Sequence, residues 1–334
     1  MDKISDPLPN SLRRFLTRDE LSSEGGVLNA FGELIQAIPS EIEERISLPL
    51  SLLGSGTAIL ILSALLGATK NVVSERTSYI AVNLCTSVAF SYCVSQSILS
   101  LTENASGAIS ATGTAVKSAV PVFAGIIAAG GNVTSAAIFG FSVSAVSGAA
   151  ATLISEVIIP LTGVIIGIGL VASLYDNGLC SFAEGIKKCV VWALGIATSM
   201  FITALSLQTA VSGSTDFLML KTARFLATST VPIIGSSVSE ATATLTSSIK
   251  LIKSTLGSAA IVMILFTTLP QIIINMLCSL ALSINVVSAD VIGLTEPQKC
   301  IRTIKAAVDI ITAALVYYMV ALIICVAIMI GVGG

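Results

Sequence analysis

The sequence predicts an all-α polytopic membrane protein, and three observations support this fold class. Of the 334 residues, 54% are hydrophobic and only 11% are charged, whereas a soluble domain carries roughly a quarter charged residues. The mean hydropathy is +0.96. Several apolar runs reach the about 20 residues that a helix needs to cross a bilayer. With so few charges the chain cannot cover its surface against water, so we expect that surface to face lipid.

The chain begins with a polar segment, residues 1–47, which we expect to lie outside the bilayer. This segment holds nine of the nineteen acidic residues and five of the seventeen basic residues. It contains no charged stretch followed by an apolar core, so the pattern does not predict a signal peptide here. Residues 48–334 form the predicted transmembrane domain.

About six transmembrane helices are predicted within that domain. Each corresponds to an apolar stretch of spanning or near-spanning length with few charges. In chain order the stretches are Leu48–Ala68, Tyr79–Leu101, Val157–Leu174, Cys189–Ala210, Leu256–Ile284 and Ala307–Ile330.

Two further stretches, residues 103–155 and 211–255, are rich in Ser, Thr, Gly and Ala. They are too polar for lipid-facing spans and too apolar for ordinary loops. Because half-crossing backbone is tolerated in a membrane only where protein or water surrounds it, we interpret them as re-entrant or amphipathic helical hairpins. From Val238 to Leu256, apolar residues recur at helical spacing and polar residues lie between them, which is typical of an amphipathic helix. Such a helix lines a water-filled cavity, lies in the interface or packs against a partner.

An internal duplication of about 110 residues is also predicted, with copies at about 101–206 and 207–318. Several landmarks recur at nearly the same offset, which a chance similarity rarely produces. The matching pairs are Pro121 with Pro232, Gly125 with Gly235, Pro160 with Pro270, and Lys188-Cys189 with Lys299-Cys300. Repeated halves are common in membrane transporters, where the binding site tends to lie between the copies.

Basic residues beside three of the connections give the predicted orientation. They are Lys70 and Arg76, then Lys187 and Lys188, and finally Lys299, Arg302 and Lys305. If these connections are cytoplasmic, six spans place both termini outside, and each hairpin returns to its own side. The two copies then have the same orientation.

The composition excludes most covalent and metal chemistry. The chain has no His, which is the commonest general base and metal ligand. Its seven Cys form no C-x-x-C pair, and no nucleotide-binding or nucleophile motif occurs. We therefore predict no enzymatic activity, no cofactor, no metal and no nucleic-acid partner. Glu156 and Asp309 are the ionisable residues nearest to membrane depth, and we favour a headgroup position for both because each lies near the start of a span.

One segment, residues 212–257, resembles a family signature. The positions that match are Ser212, Gly213, Asp216, Lys221, Thr222, Phe225, Pro232, Gly235, Ser239, Ala241, Lys253 and Gly257. The segment is similar to the stage III sporulation protein AE family of endospore-forming bacteria. That resemblance implies a multi-pass protein of the mother-cell membrane around the forespore, within a secretion-like channel complex joining the two cells. The family offers no catalytic residues, so most of these positions become candidate structural or partner-contact residues: Ser212, Gly213, Asp216, Lys221, Thr222, Pro232, Gly235, Ser239, Lys253 and Gly257.

Two functions follow from these observations. The first is a membrane subunit of the sporulation channel complex, which contacts lipid and other subunits, including a separate ATPase, and can form a homo-oligomer. The second is a self-sufficient secondary transporter or permease for a small solute, which the duplication and the hairpins suit. A transporter is expected to show converging charged groups at mid-membrane depth, and the ionisable residues of this sequence cluster near the span ends. The sequence therefore favours the first.

Overall fold

The computed structural model describes residues 45–68, 75–172, 178–230 and 235–331, together with Gly32, Pro39, Ile42 and Glu43. Almost all of the polar segment 1–47 lies outside these residues. Within them the chain is helical and has no strand, which confirms the all-α prediction.

Seven α-helices and one π-helix form the described chain from Ser47 onward. In order they are α1 (Ser47–Ala68), α2 (Glu75–Ala129), α3 (Val133–Thr152), the π-helix (Leu153–Ile158), α4 (Ile159–Ala172), α5 (Leu179–Thr230), α6 (Gly235–Ile292) and α7 (Thr295–Gly331). The segment α3–π–α4 is one continuous helical run, so six long helices result. Each is long and apolar enough to cross a membrane, in agreement with the prediction of about six spans.

Three of these helices are much longer than a bilayer is thick. Helices α2, α5 and α6 contain 55, 52 and 58 residues. At 1.5 Å per residue each is roughly 80 Å long, against about 30 Å of hydrocarbon. The two Ser/Thr-rich stretches are consequently not separate elements within the described chain. Residues 103–155 continue α2 and α3, and residues 211–255 continue α5 and α6.

Glycine turns join neighbouring helices at two described connections. Gly131 follows α2 with a φ of 84°, and Gly293 follows α6 with a φ of 81°. At the first, the amide of Gly131 donates to the Ala128 carbonyl and the amide of Asn132 to the Ile127 carbonyl. Gly293 and Leu294 repeat this pattern. Both turns are Schellman motifs, in which only glycine adopts a positive φ without strain.

Helix α7 lies at the centre of the bundle and packs against α2, α4, α5 and α6. Polar side chains connect the helices around it. The Tyr318 hydroxyl donates to the Ile109 carbonyl at 3.2 Å, and the Thr112 hydroxyl donates to Thr267 at 2.8 Å. Where lipid is as apolar as the core, such hydrogen bonds and close packing hold helices together.

A π-helix interrupts the run between α3 and α4 just before Pro160. A proline has no N–H, so an α-helical bond from Pro160 to the Glu156 carbonyl is not available. The chain widens by one residue instead, and the amide of Ile159 donates to the Ile154 carbonyl five residues earlier. This geometry leaves Glu156 on the exposed side of the run.

Two of the basic connections lie at the same end of the bundle. The Cys180 thiol contacts the Lys299 carbonyl at 3.7 Å, which brings the start of α5 to the start of α7. Ser91 of α2 lies at the same level, because its hydroxyl and the Cys300 thiol are 3.3 Å apart. The grouping agrees with the predicted orientation, and the side of the membrane stays a prediction.

Candidate functional site

The structure separates the ten candidate residues of the signature. Five of them lie on α5, four on α6, and Pro232 lies outside the described residues. Among the members whose side chains the structure describes, Ser212 and Asp216 are buried polar residues, and both contact Ser135 of α3. They form the first of the two carboxylate sites described below.

Asp216 caps the start of another helix. Its side chain is 1% exposed, and its carboxylate accepts the backbone amides of Thr134 at 3.2 Å and Ser135 at 3.1 Å. The Ser135 hydroxyl donates to the same carboxylate at 2.7 Å. Asn132 is the N-cap residue of α3 but makes no capping bond with its side chain. Asp216 on α5 therefore supplies the acceptor, and its charge favours the positive end of the α3 dipole.

Ser212 lies one turn before Asp216 and extends this cluster. The hydroxyls of Ser212 and Ser135 are 3.2 Å apart, and the Ser212 hydroxyl also donates to the Thr209 carbonyl at 3.1 Å. A cavity of about 20 Å³ lies beside them, lined also by Ile127 and Cys325. That volume suits one water molecule and excludes a solute. The Asp216 cluster is thus built to join α3 to α5.

The other described members of the signature have different surroundings. Lys221 and Thr222 are exposed on α5, and the Thr222 hydroxyl donates to the Leu218 carbonyl of its own helix. Space is open around Gly213, and Gly257 is buried in α6. Ser239 and Lys253, the last two described members, are helical residues of α6. Lys221 is therefore a candidate for partner contact, whereas Asp216 is a structural one.

A second carboxylate site joins α5, α6 and α7. The Asp309 carboxylate lies 3.1 Å from the Lys187 ammonium and 3.5 Å from that of Lys305, and it accepts the Ser279 hydroxyl at 2.6 Å. The Lys187 and Asp309 side chains are 30% and 24% exposed. From the sequence we expected Asp309 at the level of the lipid headgroups, and no side chain was predicted to pair with it. The Lys305–Asp309 spacing of four residues was the available signal, because such pairs meet on one helix face.

A cleft of about 270 Å³ opens beside Asp309. Basic and acidic side chains line it, together with Ser283 and Val287 of α6. The charged members are Glu184, Lys187, Arg302, Lys305 and Asp309. This cleft lies near the start of the uncharged run of α7.

A third feature is an exposed polar stripe on α2. It consists of Glu103, Gly107, Ser110, Thr114 and Lys117, which recur at spacings of four and three residues and all face outward. Closer to the start of α2 most exposed side chains are apolar, as at Val88, Tyr92 and Leu99, and Gln96 is an exposed polar residue among them. We call the five residues the α2 polar stripe.

Helix α3 and the π-helix also carry exposed polar and small residues. They are Ser144, Gly148, Thr152, Ser155 and Glu156. Gly113 of α2 packs against Ser147 of α3, since a Cβ on Gly113 would lie 3.3 Å from the Ser147 side chain. Counting along the two antiparallel helices from this contact brings Glu103 and Glu156 to the same level. Within the described chain neither has a recorded ion pair.

The described residues bring together no group of three His, Cys, Asp or Glu side chains that could hold a metal ion. The two carboxylates have different roles: Asp216 accepts hydrogen bonds at a helix end, and Asp309 forms ion pairs with two ammonium groups.

Comparison with known proteins assigns the family. A family profile described as stage III sporulation protein AE matches residues 15–333, which is nearly the whole chain. The chain belongs to that family. This membership confirms the resemblance seen in residues 212–257, and it implies a role in sporulation for a multi-pass membrane protein. The family is not a known family of enzymes.

A curated relative agrees with this assignment. The stage III sporulation protein AE of Bacillus subtilis (strain 168) is 25% identical over 139 residues. The match covers 41% of this chain and 35% of the relative. The aligned part therefore spans about a third of the relative's length. No solved structure matches the chain.

Proposed function

We propose that this protein is an integral membrane subunit of the sporulation channel complex that connects mother cell and forespore and supports forespore development. It resides in the mother-cell membrane around the forespore and works with other subunits, including a separate ATPase, and with further copies of itself. It carries out no covalent chemistry. Family membership supports the sporulation role, and the α2 polar stripe is the observation that carries the role in a complex.

The α2 polar stripe is unsuited to contact with lipid tails. Glu103, Lys117 and the neighbouring Glu156 are exposed, and a charge facing hydrocarbon costs several kcal/mol. Small and hydroxylated residues between them allow close approach of another helix. Since α2 is about 80 Å long, part of it extends beyond the bilayer. Water or another protein subunit covers this surface in the proposed complex.

We also propose that the chain contains the predicted internal duplication and the two predicted hairpins. The end of α2, the run α3–π–α4 and the start of α5 have the same order as the end of α5, α6 and α7. A glycine with positive φ precedes the last helix of each set, Gly178 before α5 and Gly293 before α7. We infer that each set begins with a Ser/Thr-rich helical hairpin, residues 103–155 and 211–255, and that both hairpins project toward partner subunits.

Cysteine accessibility tests the role of the stripe in sporulating cells. We would place Ser110→Cys and Thr114→Cys separately in a cysteine-free variant and label with a membrane-impermeant thiol reagent. Val88→Cys, on the same helix and 50% exposed, is the lipid-facing control. We expect Ser110→Cys to label in cells lacking the other subunits, to be protected in the full complex, and Val88→Cys to stay unlabelled in both. Equal labelling with and without the other subunits contradicts the proposal.

Lys221 provides a test of partner contact, with Asp216 as the structural comparison. Lys221 is exposed on α5, so Lys221→Ala is expected to lower sporulation while the protein level stays unchanged. Asp216→Ala is expected to lower both, because its loss destabilises the α3–α5 contact. Normal sporulation with Lys221→Ala removes that residue from the partner contacts.

A secondary transporter is the second candidate function, and the Asp309 site favours it. Lys187, Lys305 and Ser279 converge on one carboxylate between three helices, which is the kind of charged site that transporters use. Purified protein reconstituted alone would then move a solute, and Asp309→Asn would abolish that movement. The channel proposal expects no transport by the protein alone.

A further inference from the structure

Four helices surround α7, and their order places the cleft beside Asp309 opposite the α2–α3 pair. Going around α7 the order is α6, α2, α3 and α5, because each helix packs against the next and all four pack against α7. The cleft is lined by residues of α5, α6 and α7, so it lies at the junction of α5 and α6. The outer surface of α2 and α3 is therefore on the opposite side of the bundle from the cleft.

These two sides of the bundle carry opposite charges. On the α2–α3 side, Glu103 and Glu156 are exposed at the same level, and Lys117 lies roughly 20 Å further along α2. On the other side, three basic and two acidic side chains line the cleft, and Lys188 is exposed beside that lining. Near this level the first side thus has two net negative charges, and the second has two net positive ones.

The central helix α7 gives a common measure of height for the two sides. Helices α2 and α5 run in the same direction as α7, as their contacts along it show. On α2, the Ile109 carbonyl accepts a hydrogen bond from the Tyr318 hydroxyl. On α5, a Cβ on Gly195 would lie 3.1 Å from the Tyr317 hydroxyl. Two adjacent residues of α7 therefore mark matching positions on α2 and α5.

Counting back from these two contacts gives the height of the charges. Glu103 lies six residues before Ile109, and Lys188 lies seven residues before Gly195. At 1.5 Å per residue the two charges differ by roughly 3 Å along the bundle axis. Copies of one chain have the same orientation in a membrane, so neighbouring copies meet side by side with equal heights facing each other.

We propose that copies of this chain associate head to tail, with Glu103 and Glu156 of one copy facing Lys188 of the next. The contact rests on the proposed function and assigns a second copy to the α2–α3 surface. Exposed ion pairs each contribute little, so the contact is weak by itself and forms where the other subunits of the complex hold the copies together. Contacts between opposite faces continue from copy to copy and close as a ring in the plane of the membrane.

Cross-linking in sporulating cells that contain all subunits tests this contact. We would place Ser110→Cys on α2 and Ser199→Cys on α5 together in a cysteine-free full-length chain and add a short bismaleimide. Both serines are exposed, and they lie one residue beyond Ile109 and four beyond Gly195, so their heights differ by roughly 3 Å. Because they lie on opposite sides of one chain, a cross-link joins two copies. We expect a ladder of cross-linked multimers.

Ser181 provides the matched control, since it is exposed on the same face of α5, roughly 27 Å before Ser199. Ser110→Cys with Ser181→Cys should give no multimers, and neither should Ser110→Cys alone. If Ser110→Cys with Ser199→Cys gives none while Ser110→Cys is still protected from labelling, another subunit covers α2. That result overturns the self-contact and leaves the proposed function intact. Cross-linking of Ser110→Cys alone also overturns it, because like faces would then meet.

Charge reversal tests whether the ion pairs hold the copies together. Glu103→Lys and Lys188→Glu, each placed separately in the chain with Ser110→Cys and Ser199→Cys, are expected to lower the multimer yield about fivefold. Combining both reversals in one chain restores complementary charges between copies and should restore the yield, which also shows that the variants fold. If the combined variant yields no more multimers than the single reversals, these charges do not face each other and the proposal fails.

Discussion

Within the described chain, the carboxylates of Asp216 and Asp309 both join helices, but they differ in exposure and in the charge of their partners. Asp216 is almost fully buried and has two backbone amides and one hydroxyl as partners. Asp309 is about a quarter exposed and has two ammonium groups and one hydroxyl. The Asp216 carboxylate accepts hydrogen bonds from the amides at the start of α3, whereas the Asp309 carboxylate balances the charges of two lysines beside an open cleft.

This difference indicates which site can exchange partners. A buried cap has no room for a ligand, and its cavity holds at most one water molecule. The Asp309 site borders a cleft of about 270 Å³ and can adjust its ion pairs when another anion arrives. We therefore expect Asp216 to determine stability and Asp309 to determine interaction, and the following predictions test that contrast from the largest effect to the smallest.

Asp216→Ala should have the largest effect on stability. It leaves the buried amide of Ser135 and the partly buried amide of Thr134 without acceptors and removes the charge from the helix end, so we expect a loss of about 2–4 kcal/mol in the free energy of unfolding. Chemical unfolding in detergent measures it. Asp290→Ala, at an exposed position near the end of α6, is the control and should change stability by less than about 0.5 kcal/mol. Similar losses in both variants would show that Asp216 does not cap α3.

Asp309→Asn should have a smaller, salt-dependent effect. It leaves Lys187 and Lys305 without their anion, and because these side chains are partly solvated we expect about 1–2 kcal/mol at low salt. Raising the salt concentration should shrink this loss, since salt screens the ammonium repulsion. The loss in Asp216→Ala should not change with salt. Glu296→Gln, whose carboxylate pairs with Lys299 at similar exposure, is the matched control at about 0.5 kcal/mol.

The sequence predicted the two carboxylate sites to different extents, and the reasons are physical. Asp216 was selected through a family resemblance, and its role was not predictable, because the amides it caps lie about eighty residues earlier. For Asp309 only the contact with Lys305, four residues away, is local. Lys187 and Ser279 reach it through tertiary packing, which no periodicity reports.

The same contrast holds for the fold. The six spans follow from composition alone, because lipid selects continuous apolar segments. The polarity of residues 103–155 predicted a separate hairpin, and it did not indicate that α2 continues without a break to Ala129 and that α3 follows the Gly131 turn. Helical continuity depends on backbone bonding across Pro121, which the helix includes. A helix boundary that is placed from composition alone cannot detect this continuity.

A double-mutant cycle measures the Lys187–Asp309 contact itself. We expect Lys187→Gln and Asp309→Asn to show a coupling of about 0.5–1 kcal/mol, because each removes the same ion pair. The cycle with Lys188→Gln, whose side chain is exposed and outside the cleft, should give a coupling near zero. Equal couplings would mean that general charge, and not the contact, explains the Asp309→Asn effect.

Within the Asp216 site, effects smaller than that of Asp216→Ala are expected from its hydroxyl partners. Ser135→Ala removes the hydroxyl bond to Asp216 but keeps the Ser135 amide bond, so we expect a loss of about 1 kcal/mol. Ser212→Ala should lose less, because that hydroxyl also bonds within its own helix. Ser142→Ala is the control, since the buried Ser142 hydroxyl bonds only the Ile138 carbonyl one turn earlier.

Combining Ser135→Ala with Asp216→Ala sharpens the comparison between the sites. Once the carboxylate is gone the Ser135 hydroxyl has lost its acceptor, so the second substitution should cost little more than the first. If the two losses add in full, the Ser135 hydroxyl stabilises the protein independently of Asp216. The cap would then rest on the two amide bonds alone, and a neutral acceptor, as in Asp216→Asn, should restore about half of the stability lost in Asp216→Ala.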